Sequence, residues 1–411
     1  MRPGELLLSD AANFADGPPD DYFRLLRREA PVCWHEERDG GGHWAIVRYE
    51  DLKTVSRNNV VFSSWRGGTT LRDIPPDHLD GSRAIMLNMD PPQHVKYRRL
   101  VQKGFTPRMI AQLAPHVRAT ANAILDGVAR RGECDFVADI AALLPMQVIC
   151  QMVGVPEEDW QPIYDLSNRL IGFDDPELQA SPLDGQLASL EMFQYAAKLA
   201  EQKRRTPADD LATPLLEGEV DGEHLSELDF NSFFLLLAVA GNETTRTASS
   251  HTLRLLDAHP DQFARVRANP ALIPSAIEES LRFSPPLIHF RRTASQDTEL
   301  RGMKIREGDR VTMWYPSANR DEAVFADGDR FDVGRSPNDH LAFGVGEHFC
   351  LGASLARLEL IILFEELLRR LPDMRLDGPV RRLRSNFVAG VKEMRVRFTP
   401  EGRGASVAVP G

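Results

Sequence analysis

The element with the clearest chemical potential is a glycine-rich loop that carries a cysteine. It consists of Phe343-Gly-Val-Gly-Glu-His-Phe-Cys350-Leu-Gly352 and precedes an amphipathic segment that starts at Ala353. Glycines let the backbone approach a flat ligand closely. A cysteine at the start of a helix meets free backbone N–H groups and the positive end of the helix dipole, which both favour the thiolate. The pattern therefore predicts that Cys350 is a metal ligand.

A lone thiolate narrows the choice of metal centre. A single cysteine thiolate is one of the ways in which proteins hold haem iron, and its donation favours O–O cleavage over reversible oxygen binding. Phe343, Gly344 and Gly352 are expected to border the same cofactor. The alternative is a buried structural cysteine, the usual role of a lone cysteine.

An acid and two hydroxyls follow an apolar run further upstream. Leu235-Leu-Leu-Ala-Val-Ala-Gly241 is followed by Asn242, Glu243, Thr244 and Thr245. A buried acid or hydroxyl is costly unless it is hydrogen-bonded or serves a purpose. For Thr245 we expect a bond back to the carbonyl four residues earlier. Thr244 is predicted to bond dioxygen and, with Glu243 and water, to relay protons to it.

A basic pair offers a site for an anion. His94 and Arg98 lie four residues apart on a predicted helix, so both side chains can point at one group. The arginine fork matches a carboxylate in a bidentate way. Lys96 and Arg99 point elsewhere on that helix, and we expect them to be solvated surface charges.

These segments together resemble the cytochrome P-450 superfamily over nearly the whole chain. The Cys350 loop resembles its haem-thiolate signature, Ala240-Gly-Asn-Glu-Thr-Thr245 its oxygen-activating segment, and Glu279-Ser-Leu-Arg282 its Glu-x-x-Arg element. Met89-Asp-Pro-Pro-Gln-His94-Val-Lys-Tyr-Arg98 resembles the helix that reaches one haem propionate. Arg291-Arg292-Thr-Ala294 resembles the strand that reaches the other. Chance agreement in this order and spacing is very improbable.

The resemblance implies a mainly α fold with a minor β portion. Haem b is expected between the long central helix and the helix of the cysteine loop. The residues expected to contact the haem, beyond those of the loop named above, are His94, Arg98, Ala240, Gly241, Arg292 and His348. Of these, His94, Arg98, Arg292 and His348 would reach its propionates. Arg335 is expected to complete a structural network with Glu279 and Arg282, and Gly328 stands where relatives commonly carry proline, which questions the stiffness of that loop.

The resemblance also implies an activity. A monooxygenase would use O2 and electrons from NAD(P)H, delivered by a ferredoxin and its reductase, since the sequence lacks a glycine-rich dinucleotide fingerprint. We expect one domain over residues 1–411 with no flavin domain after Pro400, in a monomer. Two alternatives stay open, a peroxide-driven haem enzyme and a haem-thiolate binding protein without turnover. The Glu243–Thr244 pair argues against both, because proton delivery to dioxygen serves only a monooxygenase.

The substrate is expected to be lipophilic. Small or aliphatic residues should lie over the haem, joined by two residues of a long loop: Val239, Ala240, Leu287, Ile288, Val388 and Ala389, with Trp65 and Ile74 from the loop. Core residues would look the same. The segments Met86-Leu-Asn-Met-Asp90 and Ser317-Ala-Asn-Arg-Asp-Glu322 resemble bacterial enzymes that hydroxylate steroid side chains, branched lipids, terpenoids or alkanes. That part is analogy, because site chemistry outranks fold.

The elements that must position these residues have start and stop signals. Ser226 and Asp229 form a capping box and Pro260 is a stop, so residues 226–259 are predicted to form one helix of about 45 Å. Its centre, residues 235–241, is apolar on every side, which predicts burial all round. Further helices are predicted at 93–104, 107–131, 140–153 (closed by Gly154), 270–283 and 353–371. Strands are predicted at 44–48, 310–314 and 394–398, and a long loop at 58–83.

Composition excludes several other classes. With 42% hydrophobic and 27% charged residues the chain is of the globular type, and its net charge of -11 offers no overall basic surface for nucleic acid. The cysteines Cys33, Cys134 and Cys150 lack disulfide or zinc spacing, which favours structural thiols in a reducing cytoplasm. No signal peptide or membrane-length apolar run is present in the sequence, so no membrane anchor is expected.

Overall fold

Most of the described chain is helical, and many helices pack around one long central helix. The structure is a computed structural model that describes residues 1–38, 41–179, 181–220 and 223–402. The α-helices are α1 (Asp20–Glu29), α2 (Tyr49–Arg57), α3 (Leu79–Arg83), α4 (Gln93–Val101), α5 (Pro107–Gln112), α6 (Ala114–Val128), α7 (Leu143–Val153), α8 (Trp160–Ile171), α9 (Pro182–Arg205), α10 (Ala212–Glu217), α11 (Glu227–Ala258), α12 (Pro260–Ala268), α13 (Ile273–Phe283), α14 (Tyr315–Ala318) and α15 (Ala353–Arg370). The helices α7, α8, α9, α13 and α15 all contact α11.

The β portion is small and is divided among several sheets. The strands are β1 (Val32–Glu36), β2 (Gly42–Ile46), β3 (Phe62–Ser63), β4 (Glu133–Asp135), β5 (Glu219–Val220), β6 (Glu223–His224), β7 (His289–Ala294), β8 (Thr298–Leu300), β9 (Met303–Ile305), β10 (Arg310–Trp314), β11 (Arg375–Leu376), β12 (Arg381–Arg382), β13 (Val391–Glu393) and β14 (Arg395–Arg397). The largest sheet has the order β1-β2-β10-β7-β3. Strands β2 and β10 pair parallel, and the other neighbours pair antiparallel. The predicted fold class, mainly α with a minor β portion, is confirmed.

The long central helix forms as predicted, with one difference. Ser226 caps α11, and its side chain and that of Asp229 satisfy each other's backbone N–H groups as a capping box. The centre is not buried all round, because Ala240 is exposed and borders a cavity. An apolar face that meets a cofactor or ligand has the same sequence pattern as one that meets protein.

Other element boundaries differ from the prediction for local reasons. The predicted helix 107–131 divides into α5 and α6, because Pro115 cannot continue a helix and instead lies in the first turn of α6. A π-helical turn at Val137–Ala141 delays the start of α7, which Gly154 closes as predicted with φ +81°. The predicted loop 58–83 contains β3 and ends in α3.

A buried ion-pair network fixes the segment that leads to the cysteine loop. Arg282 donates two hydrogen bonds to the carboxylate of Glu279, at 2.7 and 2.8 Å. Arg335 Nε lies 3.1 Å from both Glu279 oxygens, so the predicted triad is present. Arg282 also donates to the carbonyl oxygen of Gly328 at 2.8 Å. A Cβ at 328 would lie 2.7 Å from the Arg320 carbonyl oxygen. The loop at Gly328 is therefore held by close packing, although the glycine in place of proline had raised doubt about its stiffness.

Two buried histidines make the fold sensitive to acid. His35 receives the Tyr22 hydroxyl at 2.9 Å, and burial, with nearby His43, lowers its pKa to about 4. Burial lowers the pKa of His289 to about 3, while its Nδ1 lies 2.8 Å from the Asn386 carbonyl oxygen. Both imidazoles are therefore neutral in the folded protein at neutral pH.

We expect stability to fall as the pH drops below the unfolded histidine pKa. Because the pKa of each histidine is lower in the folded protein, the unfolded chain binds more protons between pH 6.5 and 4. By pH 5 each histidine should lower the free energy of unfolding by about 2 kcal/mol. Urea unfolding at pH 7 and pH 5 measures this loss. His35→Gln should reduce the difference between the two pH values, whereas His78→Gln, at an exposed position, should not. An equal pH dependence in the parent and His35→Gln would contradict the assignment.

Candidate active site

One cavity brings together the residues predicted to contact a cofactor. It lies between α11 and the cysteine loop with its helix α15, and β7 and α4 contribute further walls. The residues predicted to contact the cofactor all border it: His94, Arg98, Ala240, Gly241, Arg292, Phe343, Gly344, His348, Cys350 and Gly352. Thr244 borders it as well. Segments far apart in sequence therefore converge on one space.

The cysteine loop is shaped by glycine and by a backbone bond across it. Gly344 and Gly346 have φ values of +70° and +81°, which are strained for other residues. The Cys350 N–H donates to the Phe343 carbonyl oxygen at 2.9 Å, which closes the loop just before α15. Burial raises the pKa of the Cys350 thiol, opposed by a bond from the Gly352 N–H and by the charges of Arg98 and Arg357. Cys350 borders the cavity, and the charges of two guanidinium groups act on its thiol.

The opposite wall is a stripe along α11. Phe233, Leu237, Ala240, Thr244 and Ala248 recur at helical spacing and border the cavity. The Thr244 hydroxyl donates to the Ala240 carbonyl oxygen at 2.7 Å, so Thr244 forms the backward bond that the sequence analysis assigned to Thr245. The hydroxyl oxygen keeps its lone pairs available to a donor in the cavity.

A cluster of basic side chains forms one end of the cavity. The rings of His94 and His348 lie 4.1 Å apart, and His94 Nδ1 and His348 Nε2 are buried without a hydrogen-bond partner. Arg98 Nη2 and Arg292 Nη1 donate only to carbonyl oxygens, those of Phe349 and Arg291 at 2.6 and 2.8 Å. Among the described residues, neither guanidinium lies within ion-pair distance of a carboxylate.

The electrostatics of this basic cluster favour an anionic ligand. Burial and the charge of Arg98 lower the pKa of His94 to about 4. The pKa of His348 is lowered well below its usual value, mainly by burial and further by the charges of Arg292, His94 and Arg98. Burial also lowers the pKa of both arginines. Buried cations without a counter-charge are costly, so a group with carboxylates fits this end of the cavity.

Glu243 is the predicted site residue that the structure places elsewhere. Its carboxylate pairs with Arg246 and accepts a bond from the Thr247 hydroxyl at 3.1 Å, both on the same helix. Arg246 in turn donates to Tyr164 and Asn168 at 2.8 and 2.9 Å. Position 243 is about 100° around the helix from 244, so it faces α8 and not the cavity. The expected proton relay from Glu243 to Thr244 is not formed in this arrangement.

Most of the predicted substrate residues also lie off the cavity. Of that set, Ala240 and Leu287 border it. Val239 and Val388 pack with Leu383 and Phe387, and Ile288 and Ala389 belong to the core around Trp314. Trp65 lies at the surface with the Arg83 guanidinium 4.9 Å from its ring, and Ile74 fills the space beside Gly68. Val239 and Ile288 follow or precede the cavity residues Ala240 and Leu287 directly in sequence, but adjacent residues face different ways on a helix or strand.

Several cavity residues escaped the sequence analysis although a signal existed. Counting back from Thr244 in steps of three and four finds Leu237 and Phe233 on α11. Counting back by two from Arg292 finds Phe290 on β7. Glu359 of α15 had no such signal; burial raises its pKa to about 8, and one of its oxygens is unpartnered. It is therefore mainly protonated at neutral pH, on the cavity wall.

Comparison with known proteins gives one consistent result. The model of the family Cytochrome P450 matches residues 182–374. A steroid C26-monooxygenase from Rhodococcus jostii is 41% identical over 97% of this chain and 86% of its own length. A methyl-branched lipid omega-hydroxylase from Mycobacterium tuberculosis is 41% identical over 93% of this chain and 92% of its length. A Mycobacterium marinum cytochrome P450 solved with pseudoionone superimposes with a TM-score of 0.89, at 38% identity over 97% of this chain and all of that one.

The helical fold around α11 and the cysteine loop at its cavity define a haem-thiolate oxygenase. The chain belongs to the cytochrome P450 family. It is a monooxygenase, and family membership implies a haem-thiolate iron and O2 as co-substrate. Within the described ranges, no helix has both the length and the apolar character needed to cross a membrane.

Proposed function

We propose that this enzyme inserts one oxygen atom of O2 into a lipophilic small molecule of the steroid, terpenoid or fatty-acid and alkane type. The observation that carries the proposal is the cavity between α11 and Cys350. Away from the basic cluster its wall is apolar, with Leu87, Phe233, Leu236, Leu237, Leu287 and Phe290. Burial of apolar ligand surface against such a wall is favourable by about 25 cal/mol per Å². The names of the relatives support the same substrate class.

Cys350 is the residue proposed to hold the iron of haem b, and the basic cluster is the proposed propionate site. His94, Arg98, Arg292 and His348 would hold the carboxylates, which supplies the counter-charge that this cluster lacks. Gly344 and Gly352 leave room for a flat group beside the loop. When bound, the haem supplies a redox-active iron that activates dioxygen.

Thr244 is the proposed proton-delivering hydroxyl, without Glu243 as its partner. Its oxygen can accept a hydrogen bond from water in the cavity while its own hydrogen is bonded to Ala240. When the hydroxyl turns into the cavity, it can give its own proton forward and take one from that water. Electrons are proposed to come from NAD(P)H through a ferredoxin and its reductase, and the enzyme is proposed to act as a cytoplasmic monomer over residues 1–411. The absence of a dinucleotide fingerprint in the sequence supports separate electron carriers.

We expect Thr244→Ala to uncouple electron consumption from product formation. Substrate binding and reduction should stay near the parent, since the hydroxyl acts on proton delivery. Proton-transfer groups contribute about 10²- to 10⁴-fold, but water can replace part of a lost hydroxyl, so we expect product per NAD(P)H to fall about tenfold, with hydrogen peroxide in its place. Product, peroxide and NAD(P)H are measured together.

The control separates this role from simple helix satisfaction. Thr252 donates the same bond to the carbonyl four residues earlier, at 2.9 Å, but does not border the cavity. Thr252→Ala should couple as the parent does, and Thr244→Ser should restore most of the product. Equal coupling in Thr244→Ala and the parent would show that the hydroxyl only satisfies the helix.

The test of the proposed function is turnover over a panel of substrates. Haem-loaded protein is supplied with NADPH, a ferredoxin reductase and a ferredoxin, and offered a sterol with an alkyl side chain, a methyl-branched fatty acid, an alkane and an acyclic terpene alcohol. Mass spectrometry under ¹⁸O₂ should find products heavier by one labelled oxygen. A parallel series with hydrogen peroxide alone tests the peroxide-driven alternative. Label-free products, or turnover by peroxide only, would reject the proposal.

A further inference from the structure

An ion-pair cluster of Glu278, Arg357 and His340 lies outside the cavity and contacts the start of the cysteine loop. Glu278 of α13 lies next to Glu279 but is not part of the Glu279–Arg282–Arg335 network. Its carboxylate accepts two bonds from Arg357, from Nε to Oε1 at 2.7 Å and from Nη2 to Oε2 at 2.8 Å. The Glu278 carboxylate also accepts a hydrogen bond from His340 Nε2 at 3.1 Å. The proposed function assigns no role to any of these three side chains.

Both partners of Glu278 contact the chain where the loop begins. The Arg357 guanidinium carbon lies 4.4 Å from the centre of the Phe343 ring, and the Phe343 carbonyl oxygen accepts the Cys350 N–H. His340 Nδ1 accepts the Ala342 N–H at 3.2 Å, just before the loop begins. Since Nδ1 is an acceptor, the ring hydrogen is on Nε2 and donates to Glu278. One carboxylate therefore orients both groups that hold the loop.

The charge of Arg357 is balanced close to the sulfur. Burial alone would raise the pKa of Glu278, but the bonds from Arg357 and His340 lower it to about 2, so the carboxylate is ionised. The positive charge of Arg357 is felt at the Cys350 thiol, where it helps to lower the pKa against burial. Removing the Glu278 charge would leave Arg357 uncompensated beside the loop.

We propose that Glu278 is a positioning residue that tunes the Cys350 sulfur. By fixing Arg357 against Phe343 and His340 against Ala342, it holds the loop closed and limits the positive potential at the sulfur. This proposal rests on the proposed ligation of haem by Cys350. An uncompensated Arg357 would withdraw electron density from the thiolate and favour the reduced iron, because the reduced centre carries one more negative charge.

The test compares Glu278→Gln with a matched control elsewhere in the holoenzyme. Asp184 accepts two bonds from Arg169, at 3.0 and 2.6 Å, and that pair is exposed to a similar degree, 27% and 28% against 35% and 28%. Glu278→Gln should raise the haem midpoint potential of the substrate-free enzyme. It should also speed the decay of the thiolate-type reduced carbon monoxide spectrum several-fold. Asp184→Asn should match the parent in both measurements.

A variant of opposite sign excludes a purely structural effect. Arg357→Met leaves Glu278 uncompensated and should lower the midpoint potential, and the double variant should return towards the parent. Loss of thermal stability alone would not give shifts of opposite sign. If Glu278→Gln retains no haem, the comparison of Arg357→Met with the parent decides the matter. Parent-like potentials in the variants that bind haem would overturn the proposal, whereas a parent without a thiolate spectrum would instead refute ligation by Cys350.

Discussion

Replacement of Cys350 by alanine is expected to abolish the thiolate-type spectrum of the reduced carbon monoxide complex and all oxidation of substrate. Cys350 borders the cavity, between the α11 stripe and the start of α15. Alanine offers the iron no ligand, and no other described cysteine borders the cavity to replace it. The measurement is the difference spectrum of the dithionite-reduced protein with and without carbon monoxide.

Two further cysteines provide the controls for this prediction. Cys150 is buried in the core, and Cys134 lies in β4; burial raises the pKa of each thiol to about 12, which suits structural thiols. Cys134→Ala and Cys150→Ala should keep the thiolate spectrum. A haem-free Cys350→Ala protein, or one with a shifted spectrum, agrees with the assignment. The parental spectrum in Cys350→Ala would remove the basis of the proposed function.

The residues predicted to contact the cofactor come from distant segments and all border one cavity, because their motifs state both residue type and local geometry. A glycine loop before a helix can deliver Cys350 in few ways. Two basic residues four apart on a helix, His94 and Arg98, must share a face. The closing of α7 by Gly154 and the capping of α11 by Ser226 were also predicted from local chemistry. Such features depend on a few neighbouring residues.

The predicted site residues that lie away from the cavity are placed there by contacts between distant segments, which the local sequence does not show. Val239 and Ile288 have the apolar character of cavity residues, but helical and strand phase turn them towards other cores. The pairing of Glu243 with Arg246 could have been predicted, because Arg246 follows three residues later on the same helix. The hydrogen-bond acceptors of Arg246 on α8 could not have been predicted. Trp65 and Ile74 lie in a loop whose course is fixed by tertiary bonds such as Asp73 to Arg291, at 2.6 Å. Facing and long-range pairing therefore needed the three-dimensional structure.

The second large effect is expected at the basic end of the cavity. Arg98→Ala and Arg292→Ala each remove a proposed charge-assisted bond to a propionate. Such a bond is worth about 1.5 to 3 kcal/mol, so the double variant should lose haem about a hundredfold faster or more. Cys350 is untouched in these variants, so the protein that still holds haem should keep its thiolate spectrum. The measurement is the rate of haem transfer to an excess of a scavenging apoglobin. Arg99→Ala, one residue along α4 and exposed, should behave as the parent does.

The stability of the haem-free protein shows whether Arg292 serves to bind an anion or to stabilise the fold. Arg292 is buried, and its guanidinium donates to the Arg291 carbonyl oxygen but pairs with no carboxylate among the described residues. A buried charge without a counter-charge destabilises the fold that contains it. Arg292→Ala should therefore stabilise the haem-free protein, or leave it unchanged, while it weakens haem retention. Thermal unfolding of both forms gives the answer: a variant that is equally destabilised with and without haem would show that Arg292 serves the strand and not the propionate.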